Sequence, residues 1–592
     1  MRHTLQGAVR RGWNRLRRRP VDVWYHPAYR LPLAQAVGPP MDPKRADDAL
    51  TWAVHVGLVR PEEVRAPDEL SFEDAARVHA PAWLASIDRA EVVARVLGAE
   101  PARIPVAPLL ETWRRACGGT RAAALEVRRR GGRAVNLLGG FHHAEPDRGG
   151  GFCAINDVAV AAACLRADGF SGPITVLDLD AHPPDGIVAC LAADPEVTVL
   201  SISVASEWTV PEATAARVFD LRVPPGCGDL GYLAVLHDLL RRSPARGVVF
   251  YLAGADPLRG DRLGGLDVTL DGLAERDRRV MDWLGEAPAV IVPAGGYTAD
   301  AWKVVAHTLA AAAGVRERVE PGFDPVRWRT RRVARTLDPS VLAGRDEDTL
   351  ITEEELLGGL RAAAPKEPRF LGYYTRHGLE QALTAYGYLP TLARMGFRGL
   401  LVELQIGPGS PDRMLISADV GGRREVLVDL AASIRPLGGF RTLFVEWLEL
   451  KDPRVRFSAA RPRLPGQSLP GLGLAEDTMQ LLVAAAERLA LDGVSFVPAH
   501  YHVAWIARRR FVFWDPAARG RFAALVEGTA AHPLAVVSER LGGPGWPTEH
   551  GDPARWAPTE MVLPLVPAVR EALAAGEPAA AVARDALLDR LV

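Results

Sequence analysis

Cysteine is scarce in this chain, with five in 592 residues and no Cys-x-x-Cys pair among them. An odd set without that spacing excludes a disulfide framework and a zinc ribbon, and a reducing, cytoplasmic location is expected. Net charge is also lacking: 71 basic against 72 acidic residues leave a formal −1, so no global field draws the chain to nucleic acid or to a membrane. No apolar run is long enough to span a bilayer, and membrane insertion is not expected. The opening segment MRHTLQGAVRRGWNRLRRRP has arginines but neither the apolar stretch nor the small-residue cleavage site of a secretory signal. It reads as a basic, solvated tail over residues 1–19, with adsorption to an anionic surface as the alternative. What is present is the mixture of a soluble globular chain, 48% hydrophobic and 24% charged, at a length that calls for at least two domains.

From Val135 to Tyr297 short apolar, often β-branched runs alternate with glycine-rich turns and helical stretches, which is α/β grammar. The runs at 135–138, 174–177, 197–200, 248–252 and 289–292 are apolar on both faces and read as central strands of a parallel sheet. The helical stretches at 159–165 and 230–240 serve as crossovers. Residues 321–348 hold Pro321, Pro325 and Pro339 with a cluster formed by Arg327, Arg329, Arg331, Arg332 and Arg335, and read as a solvated linker, with a nucleic-acid site as the alternative for the cluster. Thr352 and Glu355 form a capping-box signature for a new helix. A separate α+β domain is expected over 349–592: a helix at 377–394, an antiparallel meander at 400–406, 414–417, 426–430 and 443–450, a helix at 474–491 and a strand at 494–497.

The chemically informative residues follow the carboxyl ends of the parallel strands, where open α/β sheets place their sites. The strand at 174–177 runs into Asp178-Leu179-Asp180-Ala181-His182, and residues two apart in extended chain share a side, so Asp180 and His182 reach one point. Asp256, after the strand at 248–252, offers a third ligand. Two carboxylates and an imidazole leave coordination positions open, as a catalytic metal site requires. His142 and His143 follow Gly139-Gly140, with Asp178 and Asp185 available to fix their tautomers. Tyr297, after Gly295-Gly296, presents a phenol that can donate to a developing oxyanion.

In order, Tyr25-His26-Pro27-Ala28-Tyr29, Gly139-Gly140-Phe141-His142-His143-Ala144, Gly151-Phe152-Cys153-Ala154-Ile155-Asn156-Asp157, Asp178-Leu179-Asp180-Ala181-His182, the block from Gly254 to Gly264 and Gly295-Gly296-Tyr297 resemble the zinc-dependent histone deacetylase family. The form Asp-Leu-Asp-Ala-His is closest to the class IV branch and its bacterial relatives. The resemblance covers residues 20–320 and implies a parallel-sheet arginase–deacetylase fold. It implies Asp180, His182 and Asp256 as ligands of Zn2+, with Fe2+, Mn2+ or Co2+ also suited to the set. His143 becomes general base and acid, His142 its electrostatic partner, Asp178 and Asp185 their supports, and Tyr297 the group that polarises the carbonyl. Gly151 and Phe152 line the acyl-lysine channel, and Asp178 with Ser201 matches a structural K+ site. The implied activity is hydrolysis of an acetyl or longer acyl amide on a lysine side chain or a polyamine. One departure stands out. Pro183-Pro184 follows His182 where the family has His or Gln and then Gly, which puts the orientation of Asp185 in question and keeps a catalytically silent acyl-lysine binding protein as the alternative.

In the second half, Pro470-Gly471-Leu472-Gly473 ahead of a helix, after a meander and before a strand, resembles the acyl-CoA N-acetyltransferase layout. There such a loop, here with Gly471 and Gly473, takes the pyrophosphate of acetyl-CoA. That family's Gln or Arg three residues before Gly471 is Ser468 here, with Gln467 displaced by one, and a plain helix-entry turn is the competing reading. His500 and His502 lack a carboxylate at ligand spacing and read as structural. The oligomeric state is not legible.

Overall fold

The protein is described by a computed structural model covering residues 2–32, 41–101, 104–344, 368–458, 462–549 and 552–591. The chain divides into two compact units, residues 1–325 and 326–592.

The first unit is built on eight parallel strands: β1 (Val21–Trp24), β2 (Val64–Arg65), β3 (Arg133–Asn136), β4 (Ile174–Asp178), β5 (Val197–Val204), β6 (Val218–Val223), β7 (Val248–Leu252) and β8 (Ala289–Val292). Their order is β2-β1-β3-β8-β7-β4-β5-β6. The central strands read as continuous apolar runs because each face has its own core. Leu177, Val249, Tyr251 and Ile291 enter one cluster, while Val176, Phe250, Leu252 and Val290 enter the other, the period-2 alternation of a sheet covered on both sides. The crossover helices Asp157–Ala167 and Asp229–Arg242 lie where the sequence places them, the first capped by the Asn156 side chain accepting from Ala159 N.

The opening segment departs from the expected tail. Residues Arg2–Arg17 form a helix, tied down where Asn14 donates to Val56 O at 2.9 Å and to Glu317 Oε1 at 2.8 Å, and where Arg18 pairs with Glu63 at 2.6 Å. Partners more than 40 residues away in sequence supply this order, so no local pattern announces it.

Among its described residues the second unit holds one mixed sheet of seven strands: β9 (Arg398–Gln405), β10 (Asp412–Val420), β11 (Arg423–Leu437), β12 (Phe440–Leu450), β13 (Gly493–Phe496), β14 (Val512–Phe513) and β15 (Met561–Pro564), in the order β14-β15-β13-β12-β11-β10-β9. The first four form the expected antiparallel meander. The helix Ala475–Arg488 then crosses over to β13, which runs parallel to β12. The single helix expected at 377–394 is two, Arg376–Ala385 and Tyr388–Arg394, because Gly387 takes φ +78° between them. The stretch read as a linker is helical over Pro325–Ala334 and Pro339–Ala343, and Arg327 and Arg331 both pair with Glu487, at 3.2 and 2.6 Å. Part of the arginine cluster is thus an ion-pair face and not a solvated connection. Thr352 and Glu355 lie outside the described residues.

Candidate active site

The metal-ligand and catalytic candidates of the first unit follow four strands that are neighbours in the middle of the sheet, β3, β8, β7 and β4, and Ser201 lies on the adjacent β5. Parallel strands about 4.8 Å apart bring all their carboxyl ends to one rim. Beyond β4, one oxygen of Asp180, one nitrogen of His182 and one oxygen of Asp256 lie within 4.8 Å of one another. His182 Nδ1 is 2.9 Å from Asp180 Oδ1 and 3.0 Å from Asp256 Oδ2.

The other carboxylate oxygens are tied to backbone: Gly295 N donates to Asp180 Oδ2 at 2.7 Å and Ala181 N to Asp256 Oδ1 at 3.1 Å. Asp256 Oδ2 is buried and makes no aligned hydrogen bond. A Cβ on Gly295 would stand 2.5 Å from Asp180 Oδ2 and 2.8 Å from Asp256 Oδ2, so only glycine lets the chain pass against these carboxylates. Burial and the charge of Asp180 push the Asp256 carboxyl up, a conflict that a cation between the two would relieve. A buried carboxylate oxygen without an aligned hydrogen bond, a convergent nitrogen and a glycine-walled cradle fit a divalent ion with open positions.

The paired histidines stand beside this triad. His142 Nδ1 is 2.8 Å from Asp178 Oδ2, and its Nε2 is 3.6 Å from Asp180 Oδ1. Burial opposes its charge, but Asp180 and Asp178 outweigh that and raise it to about 9. His143 Nδ1 is 2.7 Å from Asp185 Oδ1. Burial first and the neighbouring His142 second lower its pKa against the pull of Asp185. The His142 and His143 rings are 4.1 Å apart, and His143 meets His182 edge to face at 5.7 Å. Pro183-Pro184 does not turn Asp185 away, for Pro184 caps the helix Asp185–Leu191 and leaves Asp185 at its first position.

Tyr297 is 8% exposed, and burial, Asp180 and Asp256 all raise its pKa, so the phenol stays protonated. Phe152, at φ 69°, sets its ring 5.7 Å from that of Tyr297. A Cβ on Gly151 would collide with His143 Cδ2 at 2.2 Å. Ser201 stands opposite Asp178 in the β4–β5 register, and its hydroxyl donates to Asp220 Oδ1 at 2.8 Å.

Three contributors escape a reading of the sequence. Asp157 accepts from Gly140 N at 3.0 Å, from Phe141 N at 2.7 Å and from Thr120 Oγ1 at 2.6 Å, and so fixes the loop that carries both histidines. Asp261 Oδ2 accepts from Tyr297 N at 2.6 Å. Both lie inside the motif blocks, which is the signal available for them. Arg45 donates to Ala294 O at 2.7 Å and Gly295 O at 2.9 Å from a helix about 250 residues earlier, and nothing local marks it.

In the second unit Gly473 takes φ +79°, and a Cβ on Gly471 would lie 3.4 Å from Leu450 O. Pro470 O accepts from Asp452 N at 2.8 Å, which holds the loop against the end of β12. The β12–β13 pairing covers Thr442 to Val445 only, while β12 continues to Leu450 past a register shift against β11 between Ala431 and Ala432. The His500 and His502 rings stack at 5.6 Å, and the buried His502 has its Nδ1 2.8 Å from the buried Ser538 Oγ.

A family profile described as "Histone deacetylase domain" matches residues 39–313. An uncharacterized protein of Picosynechococcus sp. is 33% identical over 284 residues, 46% of this chain and 91% of its own. Among solved structures, acetylpolyamine aminohydrolase from Burkholderia pseudomallei aligns over 50% of this chain and 100% of its own, at 23% identity and a TM-score of 0.42. A deacetylase homologue from Aquifex aeolicus aligns over 50% and 85%, at 22% identity and a TM-score of 0.42. Histone deacetylase 2 of Arabidopsis thaliana is 31% identical over 284 residues, 46% of this chain and 72% of the relative. Identity sustained over nearly three quarters of a named deacetylase, on a chain whose strand ends bring the triad and the paired histidines to one rim, settles the kinship: this protein belongs to the histone deacetylase family.

Proposed function

We propose that the first unit is a metal-dependent amide hydrolase that removes an acetyl or longer acyl group from a lysine side chain or a polyamine. The observation that carries this reading is the placement of two Asp-backed histidines and a protonated, buried phenol around one carboxylate–imidazole triad. Asp180, His182 and Asp256 would hold the ion, with Zn2+, Fe2+, Mn2+ and Co2+ all suited to the donor set. Such an ion supplies a Lewis acid at the acyl carbonyl and lowers the pKa of water.

The remaining steps fall to the chain. His143 has Nδ1 engaged by Asp185, so Nε2 is the atom that takes the proton of the attacking water and returns it to the leaving amine. Tyr297 donates to the oxygen that gains charge as the acyl carbon becomes tetrahedral. His142, its Nδ1 2.8 Å from Asp178 Oδ2, stands as the electrostatic partner of His143. Gly151 and Phe152 wall the approach, and Asp178 with Ser201 would hold a structural K+. The test is a panel of acyl-lysine peptides and acylated polyamines run on the metal-reconstituted full chain. Turnover of at least one class supports the reading. Binding of acyl-lysine without turnover on any member would transfer it to a silent binding protein.

For the second unit, the early end of the β12–β13 pairing beside the Gly471/Gly473 loop supports binding of an acyl-CoA, with the pyrophosphate at the N-terminus of the helix Ala475–Arg488. Calorimetry of the full chain with acetyl-CoA tests it, and no heat at millimolar ligand would refute it.

A further inference from the structure

The N-terminal helix Arg2–Arg17 has two faces with different fates. Arg10, Arg11, Asn14 and Arg18, spaced by three and four, turn inward: Arg10 pairs with Glu317 and Glu320, Asn14 reaches Val56 O, and Arg18 reaches Leu58 O and Glu63. A Cβ on Gly57 would come within 2.9 Å of Arg11 Cα, so the helix backbone lies directly on that turn. On the opposite face Val9, Trp13 and Leu16, at i, i+4 and i+7, form a single apolar stripe. They are 66%, 58% and 85% exposed.

Arg17 stacks on the Trp13 ring at 5.1 Å along one side of the stripe, and Arg15 is exposed on the other. No acidic residue precedes Asp22 in the sequence. Among the described residues no carboxylate pairs with Arg15 or Arg17.

We propose that this helix is a docking surface for an anionic lipid bilayer, lying in the plane of the headgroups. The chemistry selects that occupant. A narrow apolar stripe edged by unpaired guanidinium groups needs a partner with apolar depth and a negative plane above it, which the headgroup–acyl boundary of an anionic membrane provides. Tryptophan is favoured at that boundary. A second copy of this helix is disfavoured, because face-to-face pairing would juxtapose arginines without a compensating acid. The inward face is already fastened, so adsorption need not pay the ordering cost of a disordered tail.

Flotation of the full chain with vesicles tests this, using equal parts phosphatidylglycerol and phosphatidylcholine against phosphatidylcholine alone. Binding to the anionic vesicles only, weakened by 0.5 M salt, is expected. Trp13→Ser/Leu16→Ser and Arg15→Glu/Arg17→Glu should each weaken it at least tenfold while the thermal midpoint stays unchanged, since all four side chains are exposed. No binding to anionic vesicles, or undiminished binding by both variants, overturns the proposal. So does retention on double-stranded DNA without vesicle binding, or a wild-type dimer that the variants abolish.

Discussion

His143 Nδ1 lies 2.7 Å from Asp185 Oδ1, although Asp185 follows directly on two prolines. The prolines cost no bond here, because Pro184 stands where a helix begins and its missing N–H would have had no helical acceptor. Asp185 also accepts from Gly186 N at 2.8 Å, which fixes its carboxylate. Asp185→Asn should therefore lower kcat about 10- to 100-fold through lost orientation of His143, the size seen when supporting partners are removed. Metal content measured on the same sample should be unchanged. Loss of metal instead would place Asp185 in the ligand cradle.

Two glycines separate the parts of the site. Gly295→Ala puts a methyl group 2.5 Å from Asp180 Oδ2 and should lower metal affinity, read by titration under a competing chelator. Gly151→Ala pushes on His143 Cδ2 at 2.2 Å and should spare the metal while cutting turnover. Equal effects of the two on metal content would contradict the division of labour.

Acid should destabilise both units through buried neutral histidines. Burial lowers His307 to about 4, with Arg318 adding to it, and lowers His502 to about 4, with His500 adding to it. Between pH 6.5 and 4 the unfolded chain binds the proton and the folded chain does not, so stability falls as pH falls through that window and the penalty is complete below it. His307 contributes about 3 kcal/mol at the limit, and the less enclosed His502 contributes less because solvent screens it. His307 Nε2 accepts from Val319 N at 3.1 Å, so His307→Gln, which keeps an acceptor, should flatten the pH dependence of the unfolding transition to which the first unit contributes. A wild-type thermal midpoint constant from pH 7 to 4 would contradict this.

The legible part of the fold is the part written in local pattern. Runs apolar on both faces marked β4, β5, β7 and β8, because a parallel strand between two helical layers has no polar side. β6 is hidden for the opposite reason: Val218-Phe219-Asp220-Leu221-Arg222-Val223 is an outer strand whose Asp220 and Arg222 pair with each other, and its charges break the apolar run. β1 is four residues long and carries Asp22. The residues expected at the site met because they follow strand ends, and strand ends converge. Arg45 did not declare itself, since its role depends on a helix reaching the Ala294–Gly295 turn from about 250 residues away. The order of the N-terminal helix likewise rests on Glu317 and Glu63, which only the folded chain brings near.

The central claim, that this site hydrolyses acyl amides with Tyr297 holding the developing oxyanion, is tested most directly by steady-state turnover of metal-loaded Tyr297→Phe against wild type on the best substrate of the panel. Metal content and thermal midpoint are recorded in parallel. Removal of one oxyanion donor predicts a fall in kcat of about 100-fold or more, with metal and fold retained. Turnover equal to wild type would contradict the account.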